Sequence, residues 1–168
     1  SFQLEAALAQ EGANVLAVVA VDRAGNRAER TLTVVRDTTA PVLVVDEPGP
    51  GAVLGSGTVV VRGSVADAHP GSLSVNGRGL APAADGSFAS QLELPEGAHT
   101  LDVEAVDSVG NRASLSRGLR IDLSAPELRI TAPAAGAILG SATAEVRGTV
   151  ADAAAVERVT VNGLDAVL

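Results

Sequence analysis

Short stretches of this chain alternate apolar and polar residues, which is the pattern of β-strands with one buried face. Between residues 58 and 65 the pattern predicts an inner face of small and branched residues: Val59, Val61, Gly63 and Val65. Val60 and Arg62 are predicted to face solvent. Because the period is two and no stretch has a convincing helical period, the pattern predicts an all-β protein.

A second stretch, residues 100–105, has the same alternation and predicts a half-buried antiparallel strand. Its predicted inner residues are Leu101, Val103 and Ala105. Two pairs of turn residues, Asn76-Gly77 and Asp85-Gly86, tolerate positive φ, and we expect each to close a pair of strands.

The chain contains an internal repeat. The residues AVDRAGNR beginning at Ala20 recur as AVDSVGNR beginning at Ala105, an offset of 85 residues. The offset holds without a gap from residue 20 to residue 68, with 25 identities in 49 aligned positions. Arg117 stands where the other copy has Leu32, so we expect a bulge or an irregular edge strand within residues 111–121.

About seven short strands in each period, with turn residues every 8 to 12 positions, predict an immunoglobulin-like Greek-key β-sandwich repeated in tandem. We place one complete unit at residues 39–122. Residues 1–38 are then the C-terminal half, with the last strands, of a preceding unit. Residues 123–168 are the N-terminal half, with the first strands, of a following one.

Several motifs carry a family resemblance: AVDxxGN, DxxAP, GAxL, VRGxVAD, VNG and ADGSF, in this order along the repeat. In them the chain resembles the bacterial Ig-like repeats of large surface and secreted proteins. It is also similar to the Ig-like accessory domain of some secreted glycosidases. The resemblance implies an extracellular or cell-surface bacterial protein, and it leaves the function open among spacers, adhesive units and enzyme appendages.

The half units at the two ends cannot bury their apolar faces alone. Together with the absence of Met, they lead us to expect an excised or processed segment. Two completions remain open. Either neighbouring units of a longer array cover the halves, or the final half of one chain completes the initial half of an identical chain, head to tail.

Composition excludes several classes of protein. The chain has no Cys, so disulfides, thiolate metal sites and cysteine nucleophiles are ruled out. Twelve basic residues against 20 acidic ones give a net charge of -8, which argues against nucleic acid as a partner. The longest apolar run, residues 15–21, is far below the roughly 20 residues that a membrane span needs, so we expect no membrane insertion.

Acidic residues recur at the ends of the repeat unit and are candidate calcium ligands: Asp22, Asp37, Asp67, Asp107, Asp122 and Asp152. Calcium binds 6 to 8 oxygens, which a junction between units could supply. The resemblance adds that related bacterial Ig-like arrays often hold calcium at such junctions. The alternative is that Asp22 and Asp107 accept backbone hydrogen bonds in Asx-turns.

The remaining reactive residues do not form a convincing catalytic set, and we predict no enzymatic activity. His69 and His99 are interpreted as solvated residues of a loop and a strand edge. Ser72, His69 and Asp67 form a triad only on paper, because no nucleophile elbow accompanies them. Glu93 and Glu96 are interpreted as solubilising charges, and Phe2 and Phe88 as equivalent core residues.

Two functions fit these observations. The first is a structural or adhesive spacer of an exported bacterial surface protein or fibre, stacking Ig-like units into a rod. The second is an ancillary carbohydrate-binding or positioning domain of a secreted glycoside hydrolase. Because the chain has no Trp or Tyr on which a sugar could stack, the sequence favours the first. It does not define an external receptor or glycan.

Overall fold

A computed structural model describes all 168 residues. The chain forms fourteen strands and no helix. They are β1 (Gly12–Val21), β2 (Arg27–Arg36), β3 (Val42–Glu47), β4 (Val53–Leu54), β5 (Thr58–Ala66), β6 (Pro70–Val75), β7 (Arg78–Leu80), β8 (Ser87–Glu93), β9 (Gly97–Asp107), β10 (Arg112–Ile121), β11 (Glu127–Ala132), β12 (Arg147–Ala151), β13 (Thr160–Val161) and β14 (Leu164–Asp165).

Strands β3 to β10 form the two sheets of an Ig-like β-sandwich, as predicted. One sheet has the order β3-β5-β8 and the other β4-β10-β9-β6-β7. The first two strands of the sandwich lie at the edges of different sheets. Strand β3 joins the smaller sheet, and the short β4 pairs in parallel with β10 in the larger one, with Val53 opposite Arg120. The other sheets are the pairs β1-β2, β11-β12 and β13-β14.

Burial confirms the predicted faces of the strands. Val61 has no exposed surface and Val59 is 1% exposed, whereas Val60 between them is 39% exposed. Apart from Pro41 and Pro48, the buried apolar side chains all belong to strands of the central sandwich and are Val45, Val59, Val61, Leu73, Val75, Phe88, Leu101, Val103, Ala105, Leu119 and Ile121. The core is therefore aliphatic with one phenyl ring.

The chain divides into two compact units, each made of three segments. The first consists of Ser1–Val44, Ser64–Phe88 and Val103–Leu115. It contains the antiparallel hairpin β1-β2, in which Leu16 lies opposite Leu32, and the hairpin β6-β7. The turn Asn76-Gly77, with φ of +47° and +74°, closes the β6-β7 hairpin as predicted.

A bulge interrupts the pairing of β6 with β9 in this unit. Pro70 lies opposite Asp107 and Ser72 opposite Val106, which leaves Gly71 as the extra residue. A Cβ atom added at Gly71 would lie 2.5 Å from the carbonyl oxygens of both Val106 and Asp107. Only glycine fits this close approach without a shift of the backbone.

The second unit consists of Val45–Gly63, Ala89–Asp102 and Ser116–Leu168. Its C-terminal part contains the pair β11-β12, in which Leu128 lies opposite Val150, and the small hairpin β13-β14. Large apolar side chains are exposed here, among them Leu128, Ile130, Val146, Val161 and Leu164.

Three local predictions were wrong. The turn Asp85-Gly86 does not close a strand pair, because it connects β7 with β8, which belong to different sheets, and its Gly86 carbonyl accepts a hydrogen bond from Val65 N (2.9 Å). Residues 111–121 do not form an irregular edge strand, because β10 lies between β4 and β9 and its buried and exposed residues alternate along its length. Arg117 keeps its place on the inner side because its Nη1 donates to the carbonyl oxygen of Pro48 (2.7 Å). Phe2 is 81% exposed rather than in the core, since residues 1–9 form no strand.

Candidate functional site

The two copies of the motif AVDxxGN form the same turn. Asp22 Oδ1 accepts hydrogen bonds from the backbone amides of Ala24 and Asn26, at 2.9 and 2.8 Å. Asp107 Oδ1 accepts from the amides of residues 109, 110 and 111, at 2.9, 2.6 and 2.9 Å. In each copy the Asn side chain donates to the second carboxylate oxygen. These two carboxylates therefore have the geometry of Asx-turns.

Hydrogen bonds to these carboxylates favour their ionised form. The side-chain amide of Asn26, aided by backbone amides, lowers the pKa of Asp22. Burial alone would raise the pKa of Asp107, but the hydrogen bonds from Asn111 and from the turn amides outweigh it, and this pKa is also below its usual value. Both side chains are thus acceptors in stable turns at neutral pH.

The linker at residues 37–39 is held by side chains from both directions along the sequence. Glu11 in the N-terminal segment accepts hydrogen bonds from the amide and hydroxyl of Thr38 (2.7 and 2.9 Å). The backbone amide of Thr38 is the main reason that the pKa of Glu11 is lowered. Asn111 Nδ2 donates to the carbonyl oxygens of Asp37 and Thr39, both at 3.3 Å. The linker therefore has a defined path.

Asp37, Asp67 and His69 come together beside this linker. One ligand atom of each lies within 4.8 Å of those of the other two. His69 Nδ1 is 2.6 Å from Asp37 Oδ2, and the Asp37 side chain is only 9% exposed. Asp67 Oδ1 accepts the backbone amide of His69 (2.7 Å), and Asp37 Oδ1 accepts that of Thr39 (3.1 Å). The structure thus unites two of the six predicted acidic candidates with a histidine.

The second copy has the same acidic turns without the histidine. Asp122 Oδ1 accepts the amide of Ser124 (3.2 Å), and Asp152 Oδ1 accepts that of Ala154 (2.8 Å). Ala154 stands at the position equivalent to His69. Asp122 Oδ2, the counterpart of the oxygen that contacts His69, is buried and has no hydrogen-bond partner.

The interpretation of His69 as a solvated loop residue overlooked its contact with Asp37. The sequence places His69 two residues after Asp67, but its partner Asp37 is 32 residues away, so the spacing did not reveal the contact. The combination of Ser72, His69 and Asp67 does not form a catalytic triad, since Nδ1 of His69 faces Asp37 and Asp67 accepts a backbone amide. His99 makes a separate contact, with Nε2 2.7 Å from the carbonyl oxygen of Pro95.

An open groove of about 310 Å³ lies in the first compact unit, which also contains Asp37, Asp67 and His69. Its lining includes Pro41, Asp67, Pro82, Asp85 and Ala105, and no aromatic side chain. Phe88 is buried in the core. The groove therefore offers no ring on which a sugar could stack.

Comparison with known proteins identifies the central sandwich as similar to a domain of a known enzyme family. Residues 41–123 match the family described as "Glucodextranase, domain B". The chain resembles an accessory domain. It is also 30% identical over 117 residues to Bacillopeptidase F of Bacillus subtilis (strain 168). That match covers 69% of this chain but only 8% of the length of the relative.

These similarities confirm the resemblance to the Ig-like accessory domain of glycosidases; the tandem arrangement stays a prediction. Both relatives are named after enzymes, a glucodextranase and a peptidase, and the matched parts are small portions or single domains of them.

No helix in the chain has the length and apolar character needed to cross a membrane.

Proposed function

We propose that the chain is a non-catalytic Ig-like spacer, which positions other domains of an exported bacterial protein. The match of the central sandwich to domain B of glucodextranase carries the proposal. The similarity to part of a peptidase supports it, because the same module beside unrelated chemistries favours a role in positioning. The held linker at residues 37–39 adds a junction of defined path, as a spacer requires.

The exposed apolar faces at both ends support stacking of such units. Leu32 in the N-terminal hairpin is exposed, as are Leu128 and Ile130 in the C-terminal segment. Their counterparts within the central sandwich belong to strands of its two sheets. We propose that neighbouring Ig-like units cover these faces, in the same chain or in an identical one, and that the halves at 1–38 and 123–168 are parts of such units.

Distance measurements test the spacer directly, because the Cys-free chain accepts two dye labels at chosen positions. Arg23→Cys and Ser108→Cys place labels at equivalent exposed turn positions of the two copies. A spacer predicts one narrow distribution of distances between the dyes. A matched pair within the central sandwich, Arg78→Cys with Ser108→Cys, sets the width expected for a rigid body. A distribution for the first pair much broader than this reference would contradict the proposal.

The second candidate, a carbohydrate-binding domain, rests on the family match to a glucodextranase domain. Co-sedimentation of the chain with cross-linked dextran and with insoluble starch, cellulose and chitin separates the two. A spacer remains in the supernatant with each of them. Saturable binding that is competed by a soluble fragment of the same polysaccharide would replace the spacer proposal by the carbohydrate-binding one.

A further inference from the structure

We propose that Asp37, Asp67 and His69 form a binding site for a divalent transition-metal ion of the Zn²⁺ class. The site lies where the linker meets the loop between β5 and β6. This differs from the calcium hypothesis in its ligands, because it uses an imidazole nitrogen and only two of the six acidic residues. It does not depend on the proposed spacer function.

The type of ligand selects the type of metal. Zinc binds imidazole nitrogen and carboxylate oxygen in four-coordinate sites, at about 2.0–2.2 Å. Calcium needs 6 to 8 oxygens, and imidazole suits zinc, copper and nickel instead. Three ligand atoms within 4.8 Å of one another are close enough for rotations about side-chain χ angles to bring them onto one ion, with water as a fourth ligand.

Charge and burial also favour a cation. Asp37 and Asp67 are two carboxylates in one cluster, and neither forms an ion pair with an arginine. The ring of His69 is the one side-chain group that pairs with either carboxylate, and it contacts Asp37. The Asp37 side chain is 91% buried, so solvent screens its charge only in part. A bound divalent ion would neutralise both carboxylates at once.

The surrounding hydrogen bonds keep the ligands close to one another before any ion arrives, so that side-chain rotations suffice to bring them onto it. Thr39 N occupies Oδ1 of Asp37 and leaves Oδ2 directed at the imidazole, while Asn111 binds the Asp37 carbonyl oxygen. The amide of His69 holds Asp67 Oδ1. Such outer contacts orient metal ligands and typically change affinity by about 10–100-fold when removed.

Metal binding requires a change of protonation at His69. The 2.6 Å separation between Nδ1 and Asp37 Oδ2 holds one proton between the two atoms. When the metal takes the Nδ1 lone pair, a neutral ring carries its proton on Nε2 instead, and an imidazolium releases one proton to solvent.

The test is calorimetric titration of ZnCl₂ into the untagged 168-residue chain near neutral pH. We expect one equivalent of zinc to bind, and His69→Ala to weaken binding by at least about tenfold. The second copy carries alanine at the equivalent position 154, so this loop accepts the substitution. Asp37→Asn should weaken binding similarly. His99→Ala, which removes the other histidine of the chain, should leave it unchanged.

Co²⁺ gives a second readout, because its visible absorption bands are much stronger in a four-coordinate protein site than for the six-coordinate ion in water. We expect bands with the unaltered chain and with His99→Ala, and their loss with His69→Ala. Three results would each overturn the proposal: no saturable uptake of Zn²⁺ by the unaltered chain, equal affinity in His69→Ala, or displacement of bound Zn²⁺ by a comparable concentration of Ca²⁺. Melting curves of each variant confirm that it is folded.

Discussion

Truncating Val61 in the middle of β5 should cost the sandwich a large part of its stability. Its side chain has no exposed surface, so Val61→Ala removes two carbon atoms from a closed environment. At about 0.8 kcal/mol per buried methylene the lost transfer free energy alone is about 1.6 kcal/mol. The cavity left behind raises the loss to about 2–3 kcal/mol. For a sandwich of this size the melting temperature should fall by about 10–20 °C.

The adjacent residue supplies the control. Val60 points to solvent and is 39% exposed, so Val60→Ala should change the unfolding free energy by no more than about 0.5 kcal/mol. Val60→Glu should be equally mild, because the equivalent position of the repeat holds Glu145. Circular dichroism melts of the three variants and the unaltered chain measure the differences. If Val60→Ala melts as early as Val61→Ala, the assignment of faces in β5 is wrong.

Two further predictions concern the bulge and the Asx-turn. Gly71→Ala forces a Cβ to within 2.5 Å of two backbone oxygens and should lower the unfolding free energy by about 1–3 kcal/mol. The control Gly79→Ala, whose Cβ would have its nearest atom at 4.0 Å, should lower it less. Equal melting temperatures of the two variants would refute this packing argument. Because the pKa of Asp107 is lowered in the folded chain, its stabilising contribution is complete above the usual range of carboxyl pKa values and is lost as the pH falls through the lowered value. Asp107→Asn should therefore melt earlier at neutral pH and lose less stability on acidification, as pH-dependent melts would show; an undiminished acid loss would contradict the role of this carboxylate.

The sandwich could be predicted because its signals are local and occur twice. The alternation around Val61 and that around Val103 each depend on a few neighbouring residues, and burial confirms both. The repeat supports the outward position of residue 60, since Glu145 stands at the equivalent position. The irregular edge strand expected at Arg117 was wrong, because a contact distant in sequence decides this position. Arg117 stays on the inner side of β10 since Pro48, 69 residues away, offers a carbonyl oxygen to its guanidinium.

The cluster around His69 could not be predicted from spacing. Asp37 precedes His69 by 32 residues and reaches it through the path of the linker, which depends on contacts with Glu11 and Asn111. These contacts involve hydrogen bonds from side chains at distant positions, and no periodic pattern encodes them. The recurrent acidic residues did identify Asp37 and Asp67, but composition alone gave no reason to add the histidine to them.

The amide of Asn111 has a consequence for how proteins of this kind change in length. It belongs to the motif AVDxxGN and binds the carbonyl oxygens of Asp37 and Thr39, which lie in the linker entering the same repeat. In this unit, one period therefore contains both the linker and the asparagine that binds it. Duplication or deletion of one whole 85-residue period keeps the asparagine together with the linker that it binds. An unequal exchange inside a period separates the two. Variation in length among natural relatives should therefore occur in whole periods.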